Sequence, residues 1–158
     1  ARLIGVDISR AAIDLCCSHH GSLGDFLAGD VTTVPNADVI ICSNILEHVD
    51  DDVSVVRGLL TKCEILFVVV LYRERNLLAE HVRTYDESSF SEFSPMRRAI
   101  LNARGWSEYG RQLYADIYLR NIVRWVLGRP LRYRNKQILY EFRGRGGPAR
   151  VEAGGGSP

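Results

Sequence analysis

The sequence contains no apolar run near the roughly 20 residues needed to cross a bilayer. Its start, Ala-Arg-Leu-Ile-Gly-Val-Asp, is not the charged-then-apolar pattern of a secretion signal. Both absences argue against insertion or export and predict a cytoplasmic protein. The four cysteines, Cys16, Cys17, Cys42 and Cys63, form neither a CxxC pair nor a repeated spacing, which excludes zinc-knuckle and disulfide-framework patterns. Three of them lie in or beside apolar runs, so they read as buried thiols. No internal repeat is present.

Net charge is also nearly missing, at a formal +1, but the small total conceals an uneven distribution. Between Ser94 and Arg150 there are thirteen Lys/Arg, Arg97, Arg98 and Arg124 among them, against three acids, Glu108, Asp116 and Glu141. The preceding part is correspondingly acidic. A basic second half can be a solvated helix face with a basic tail, or it can attract phosphate, anionic lipid headgroups or RNA.

What is present suffices for one core: 158 residues, 46% of them hydrophobic. Leu3 to Val6 is a short apolar run ending at Asp7. Ser9 then caps a segment with apolar residues at Ala12, Ile13, Cys16 and Cys17, which predicts strand, tight turn and helix. Phe26 to Ala28 is a strand closing at Gly29-Asp30. Ala37 to Cys42 is almost continuously apolar, as for a central strand covered on both faces. Asp51 or Asp52 caps a helix with Val53, Val56, Leu59 and Leu60 at helical spacing, and Ile65 to Leu71 is a second fully buried strand.

This alternation is that of βαβ units, hence an α/β fold with a mostly parallel sheet and helices on both faces. Asp86 or Ser88 is expected to cap a helix interrupted at Pro95, with Phe90, Phe93, Ile100 and Leu101 on its apolar side, ending near Gly105. Tyr109 to Leu127 is ambiguous between strand and helix, its second half favouring helix. Gln137 to Phe142 is a final strand, expected to be antiparallel. Residues 144–158 are rich in Gly, Pro and Ser and are expected to be a disordered tail.

In an open parallel sheet, ligands bind beyond the carboxyl ends of the strands. Asp7, Asp30 and the pair Ser43-Asn44 follow apolar runs and occupy those positions. A carboxylate there can accept two hydrogen bonds from a ribose diol. Asp7 can equally serve to cap the helix that begins after Ser9.

Four stretches together resemble class I S-adenosylmethionine (SAM)-dependent methyltransferases of the small-molecule and quinone type: Ile4-Gly5-Val6-Asp7-Ile8-Ser9, Ala28-Gly29-Asp30-Val31, Ala37 to Val49, and His81-Val82-Arg83-Thr84-Tyr85. The resemblance covers roughly residues 2–105. It implies a Rossmann-like fold over residues 1–143, with SAM as cofactor. It also implies that Asp7 holds the ribose hydroxyls, Ile8 packs on the adenine, Asp30 and the Val31 backbone read the adenine edge, and Ser43 and Asn44 border the methionine and sulfonium. Members of the family begin with a further strand and a GxGxG loop, which no residue before Asp7 supplies. The domain is therefore expected to be incomplete at its N-terminus, the absent strand belonging between those ending at Asp7 and Ser43. Gly144-Arg145-Gly146-Gly147 follows a strand, but no helix pattern follows it, so it does not replace that loop.

Glu47, His48 and His81 compose a common divalent-metal set. Relatives that use metal here carry another Glu three residues before the Glu-His pair, where this chain has Asn44, so no metal is expected. Methyl transfer from a sulfonium needs chiefly proximity and alignment. If the acceptor is a hydroxyl, His48 is the candidate base. The expected activity is methylation, with oxygen favoured, of a small-molecule or lipid-linked acceptor. Alternatives are a non-catalytic methyltransferase-like interaction domain and a metal-dependent RNA methyltransferase. The basic, aromatic-bearing segment Tyr118 to Tyr133 is expected to cover the acceptor or touch a membrane surface.

Overall fold

The computed structural model describes residues 2–74, 80–102, 110–129 and 136–145, with backbone alone for 102 and 110–117. The expected features at Gly105 and Tyr109, and the tail from 146 onward, lie outside these residues. The fold is α/β with a mixed sheet in two parts. In the first part β1 (Leu3–Asp7) pairs in parallel with β2 (Gly24–Ala28), joined by α1 (Arg10–His20). Ser9 caps α1 as expected, its side chain accepting from Ala12 N at 3.3 Å.

The second part has the order β3-β4-β6-β5. Strand β3 (Ala37–Ser43) pairs in parallel with β4 (Cys63–Tyr72) through the crossover helix α2 (Asp52–Leu60). Strand β6 (Lys136–Arg143) runs antiparallel between β4 and β5 (Arg97–Asn102). Among the described strands only β6 is reversed: β3, β4 and β5 run the same way and β1 runs with β2, so both antiparallel ladders arise from the one antiparallel final strand that was expected. The helix α3 (Gly110–Val126) resolves the ambiguous segment as helical.

The core lies on one face of this sheet. Leu66, Val68 and Val70 of β4 and Ile138, Tyr140 and Phe142 of β6 are fully buried, together with Val56 and Leu59 of α2 and Leu46. Each large apolar side chain so buried contributes about 1.5–3 kcal/mol before the entropic cost of ordering it. The opposite face is different. On β3, Ile41 is 68% exposed and Val39 is exposed as well, so among the described residues β3 is covered on one face only, and the strand order puts it at the edge of its sheet rather than in the centre. An apolar sequence on both faces of a strand tells what the strand can bury, not what is present to cover it.

The helix expected after Asp86 is replaced by turns, a short 3-10 turn (Ser91–Phe93) and then β5. Three causes are visible. The Asp86 carboxylate accepts from Ser88 N at 2.9 Å and from the Ser88 hydroxyl at 2.6 Å, a local arrangement that competes with helix. Phe90 and Ser94 take left-handed backbone angles, φ 58° and 49°. Pro95 then has no N–H to offer a helix. What holds Phe90 in that conformation is an aromatic cluster, with Tyr85 stacked at 5.3 Å and Tyr140 edge-on at 5.4 Å.

Gly144 is half-buried, and its N–H donates to Glu64 O at 2.8 Å. A Cβ there would lie 2.0 Å from the Cys63 carbonyl oxygen, a backbone atom that cannot swing aside. Replacing Gly144 by Ala is expected to destabilise the fold by about 1–3 kcal/mol, as overpacking does, read as a lower urea midpoint; an unchanged midpoint would show that the β6 end can relax freely.

Candidate functional site

The carboxyl ends of β1 and β2 lie together, Asp7 opposite Ala28 in a parallel ladder, and Gly29 N donates to Asp7 O at 2.9 Å. Asp7 and Asp30 therefore stand on one rim. Each uses one carboxylate oxygen to shape its own turn. Asp7 Oδ1 accepts from Ser9 N at 2.7 Å. Asp30 Oδ1 accepts from Thr32 N at 2.8 Å and from the Thr32 hydroxyl at 2.6 Å. These bonds, the hydroxyl first, hold the Asp30 carboxyl below its ordinary pKa. The second oxygen of each carboxylate has no hydrogen bond among the described residues, and neither pairs with a cation there. Ile8, next to Asp7, is 81% exposed. Val31 opens a 3-10 turn, Val31–Thr33, so its N–H is among the donors that the turn leaves over.

At the carboxyl end of β3, Ser43 is exposed and Asn44 takes φ 53°, a left-handed angle that Asn tolerates better than most residues. Asn44 Oδ1 accepts from Gln137 Nε2 of β6 at 2.9 Å, while its Nδ2 donates to Ser43 Oγ at 3.3 Å. The Leu46–His48 turn follows. Glu47 is buried, its Oε1 accepting from Leu71 N at 2.9 Å and its Oε2 left without a partner. His48 is exposed, with Nδ1 3.1 Å from the Glu80 carbonyl oxygen. A carbonyl only accepts, so this contact places the proton on Nδ1 and leaves the lone pair on Nε2 in the neutral ring.

His81 stands beside it, the two rings 4.8 Å apart and edge-on. His81 Nδ1 contacts Glu74 Oε2 at 2.6 Å, both side chains being nearly buried. Glu74 was not anticipated from the sequence. Its position just after β4, where chemistry collects in such sheets, was the available signal. Among the described residues no three His, Cys, Asp or Glu are grouped so as to hold a metal ion.

What fixes the His81 segment is a buried network that the sequence reading also missed. Asp51 is the cap of α2, its side chain accepting from Ser54 N at 3.0 Å. Asp52 is instead buried and receives the Arg83 guanidinium, which also donates to the Asp50 carbonyl. The Tyr85 hydroxyl lies 3.0 Å from Asp52 Oδ2 and 2.8 Å from the Leu46 carbonyl. Its single proton serves one of them at a time, and burial, followed by the Asp52 charge, pushes the phenol far above its usual pKa. The signal was periodic: Asp52, Val56 and Leu59 share the buried face of α2.

The cysteines divide. Cys42 and Cys63 are buried, but Cys16 is half-buried and Cys17 exposed, so the expectation of buried thiols fails at Cys17. The reason is that α1 buries only Ile13 fully. Burial, then the Glu47 charge, pushes the Cys42 thiol up to about 12.

No family model and no curated protein matches the chain. Solved structures do. The [4+2]-cyclase SpnF matches with a TM-score of 0.60 and 13% identity, over 92% of this chain and 67% of that one. The plantazolicin methyltransferase BpumL, in complex with SAH, matches with 0.55 and 15% over 92% and 67%. Coclaurine N-methyltransferase, bound to N-methylheliamine and SAH, matches with 0.60 and 12% over 90% and 60%. These likenesses establish that the chain shares the Rossmann-like α/β fold of these structures. The chain spans about two thirds of the length of these three structures, or somewhat less.

Two outcomes check this geometry. Asp52→Asn removes the charge opposite a guanidinium that is only one-third exposed, and is expected to cost about 2 kcal/mol, less than a fully buried pair, read by urea unfolding; a smaller effect than a surface substitution would remove the network from its anchoring role. Iodoacetamide at neutral pH is expected to modify Cys17 first in the folded protein and to spare Cys42 and Cys63 until denaturant is added, as peptide mass mapping would show.

Proposed function

We propose that the chain is the greater part of a SAM-dependent methyltransferase that acts in the cytoplasm on a small-molecule or lipid-linked acceptor, oxygen being the favoured acceptor atom. One observation carries the reading: Asp7 and Asp30 share the rim of adjacent parallel strands, each with a carboxylate oxygen to spare. These residues fit an adenosine. The spare oxygen of Asp7 can accept from a ribose diol. Exposed Ile8 offers an apolar platform for the adenine face. Asp30 can accept from the exocyclic amine, and the Val31 N–H can donate to a ring nitrogen. Ser43 and Asn44 would border the methionine and sulfonium. BpumL and coclaurine N-methyltransferase, which share the fold, were solved with SAH.

The reading includes a further strand with its GxGxG loop between β1 and β3. Among the described residues each of these strands pairs on one side alone, which supports such a slot. SAM, when bound, supplies a methyl group on a positively charged sulfur. His48 then has one task, to take the acceptor's hydroxyl proton on Nε2 as the oxygen is alkylated. The Glu80 carbonyl sets the tautomer for that task, and the His81–Glu74 pair holds the ring against which His48 stands. A second reading, a domain with this fold and no methyl transfer, is favoured by the match to SpnF, a protein named for a cyclase activity.

Calorimetric titration of the intact protein with SAH is the test. Binding is expected, and Asp7→Ala should weaken it by about tenfold or more. His48→Ala should leave SAH affinity intact and slow transfer to a hydroxyl acceptor by about a hundredfold. Absence of SAH binding would sink the proposal, and binding without transfer to any acceptor would favour the second reading.

A further inference from the structure

The turn that carries Asp30 and Val31 is held from outside by a side chain to which the reading above gives no task. A three-residue 3-10 turn such as Val31–Thr33 is too short to be stable by its own bonds, and it leaves carbonyl groups over. Lys62 Nζ donates to Val31 O at 3.2 Å, to Thr32 O at 2.9 Å and to Val34 O at 2.8 Å. An ammonium has three N–H donors and no acceptor, so three carbonyls use its whole capacity. The backbone of Lys62 is fixed as well: its N–H donates to Leu59 O and its carbonyl accepts from Ala37 N, both at 2.9 Å. Lys62 thus joins the end of α2 and the start of β4 to a loop 28 to 31 residues earlier. Other bonds complete the turn. Asp30 O accepts from Thr33 N at 3.1 Å and from the Thr33 hydroxyl at 2.6 Å, while Val31 and Val34 pack against the core. The Asp30 carbonyl belongs to the same peptide group as the Val31 N–H, so the two bonds it accepts polarise that N–H as a donor.

We propose that Lys62 is a positioning residue for base selection: its ammonium fixes the Val31–Val34 backbone so that the spare Asp30 oxygen and the Val31 N–H stand as one acceptor and one donor at a set spacing. The inference rests on the SAM reading of the rim. Adenine offers an exocyclic amine beside a ring acceptor, which suits that pair. Hypoxanthine offers a carbonyl oxygen beside a ring N–H, so both contacts are mismatched. A rigid turn cannot adapt to the reversed pattern, whereas a loose one can, and selection of this kind depends on leaving the site's own polar groups unpaired with the wrong ligand. Because the three carbonyls already meet Lys62 in the free protein, the turn needs no ordering when a ligand arrives. Lys62 itself has no donor to spare for a ligand, so its action runs through the turn.

The experiment is calorimetric titration of the intact protein, and of its Lys62→Met and Lys62→Arg variants, with S-adenosylhomocysteine and with S-inosylhomocysteine, urea unfolding being measured alongside. The unsubstituted protein is expected to favour the adenosyl ligand by about a hundredfold or more. Lys62→Met should lower adenosyl affinity about tenfold and leave inosyl affinity unchanged, so that the ratio falls about tenfold. Lys62→Arg keeps the charge but presents a planar fork in place of three converging donors, and its ratio should fall between the two. A ratio retained by both variants overturns the proposal even where the urea midpoint drops, since Lys62 would then serve stability alone. An Arg variant equal to the unsubstituted protein overturns it too, because charge rather than the carbonyl clamp would then be what counts. Should Lys62→Met fail to fold, the Arg variant decides by the same ratio, and failure of both to fold counts against the proposal. An unsubstituted protein that binds no S-adenosylhomocysteine removes the methyltransferase reading and this inference together, whereas binding with a ratio that no variant changes removes this inference alone.

Discussion

The position of the candidate chemistry depends on one buried ion pair. Asp52 opens α2 and is buried, and without Arg83 it would be a buried carboxylate with only the Val53 N–H and the Tyr85 hydroxyl beside it and no counter-charge. Because the guanidinium also reaches the Asp50 carbonyl, it ties the segment after β4 to the start of α2 by two points rather than one. Tyr85 adds a third, through a hydroxyl shared between Leu46 and Asp52. Removing one partner of such a set leaves the other in a medium that does not solvate it. His81, two residues before Arg83, inherits its place from this clamp, and with it the contact to His48.

A second theme is economy of polar groups at the strand ends. The carboxylates of Asp7, Asp30 and Asp86 each organise the turn that follows them with one oxygen. In Asp86 the result is purely structural, since its backbone carbonyl also receives the Tyr140 hydroxyl. In Asp7 and Asp30 the same local bonding holds the remaining oxygen at a fixed place on the rim, so that binding adenosine would cost little side-chain entropy. Capping and ligation, opposed as alternatives when only spacing was known, are compatible in the three-dimensional arrangement.

Much of the fold was legible because the first 72 residues alternate strand and helix with clear periodicity, and local bonding agrees with it at Ser9 and Asp51. What was not legible was non-local. Apolar residues on both faces of β3 gave no sign that one face would be open. The helical spacing of Phe90, Phe93, Ile100 and Leu101 lost to an Asp86 turn, left-handed Phe90 and strand partners at Ile138 and Gln137. The candidate residues of the rim were read from strand ends, whereas Arg83 matters through Asp52, 31 residues away, a pairing that spacing does not encode.

The order of the second sheet bears on how the chain is made. Strand β6 is synthesised after β4 and β5 yet lies between them, and more than sixty residues separate its ladder partners on β4. Until residue 142 leaves the ribosome, Leu66, Val68 and Val70 lack the wall that Ile138, Tyr140 and Phe142 supply, and β4 displays an open edge. A nascent chain in that condition is a substrate for holdase chaperones and a hazard for self-pairing. Closure of this half of the molecule is therefore a late event in biosynthesis.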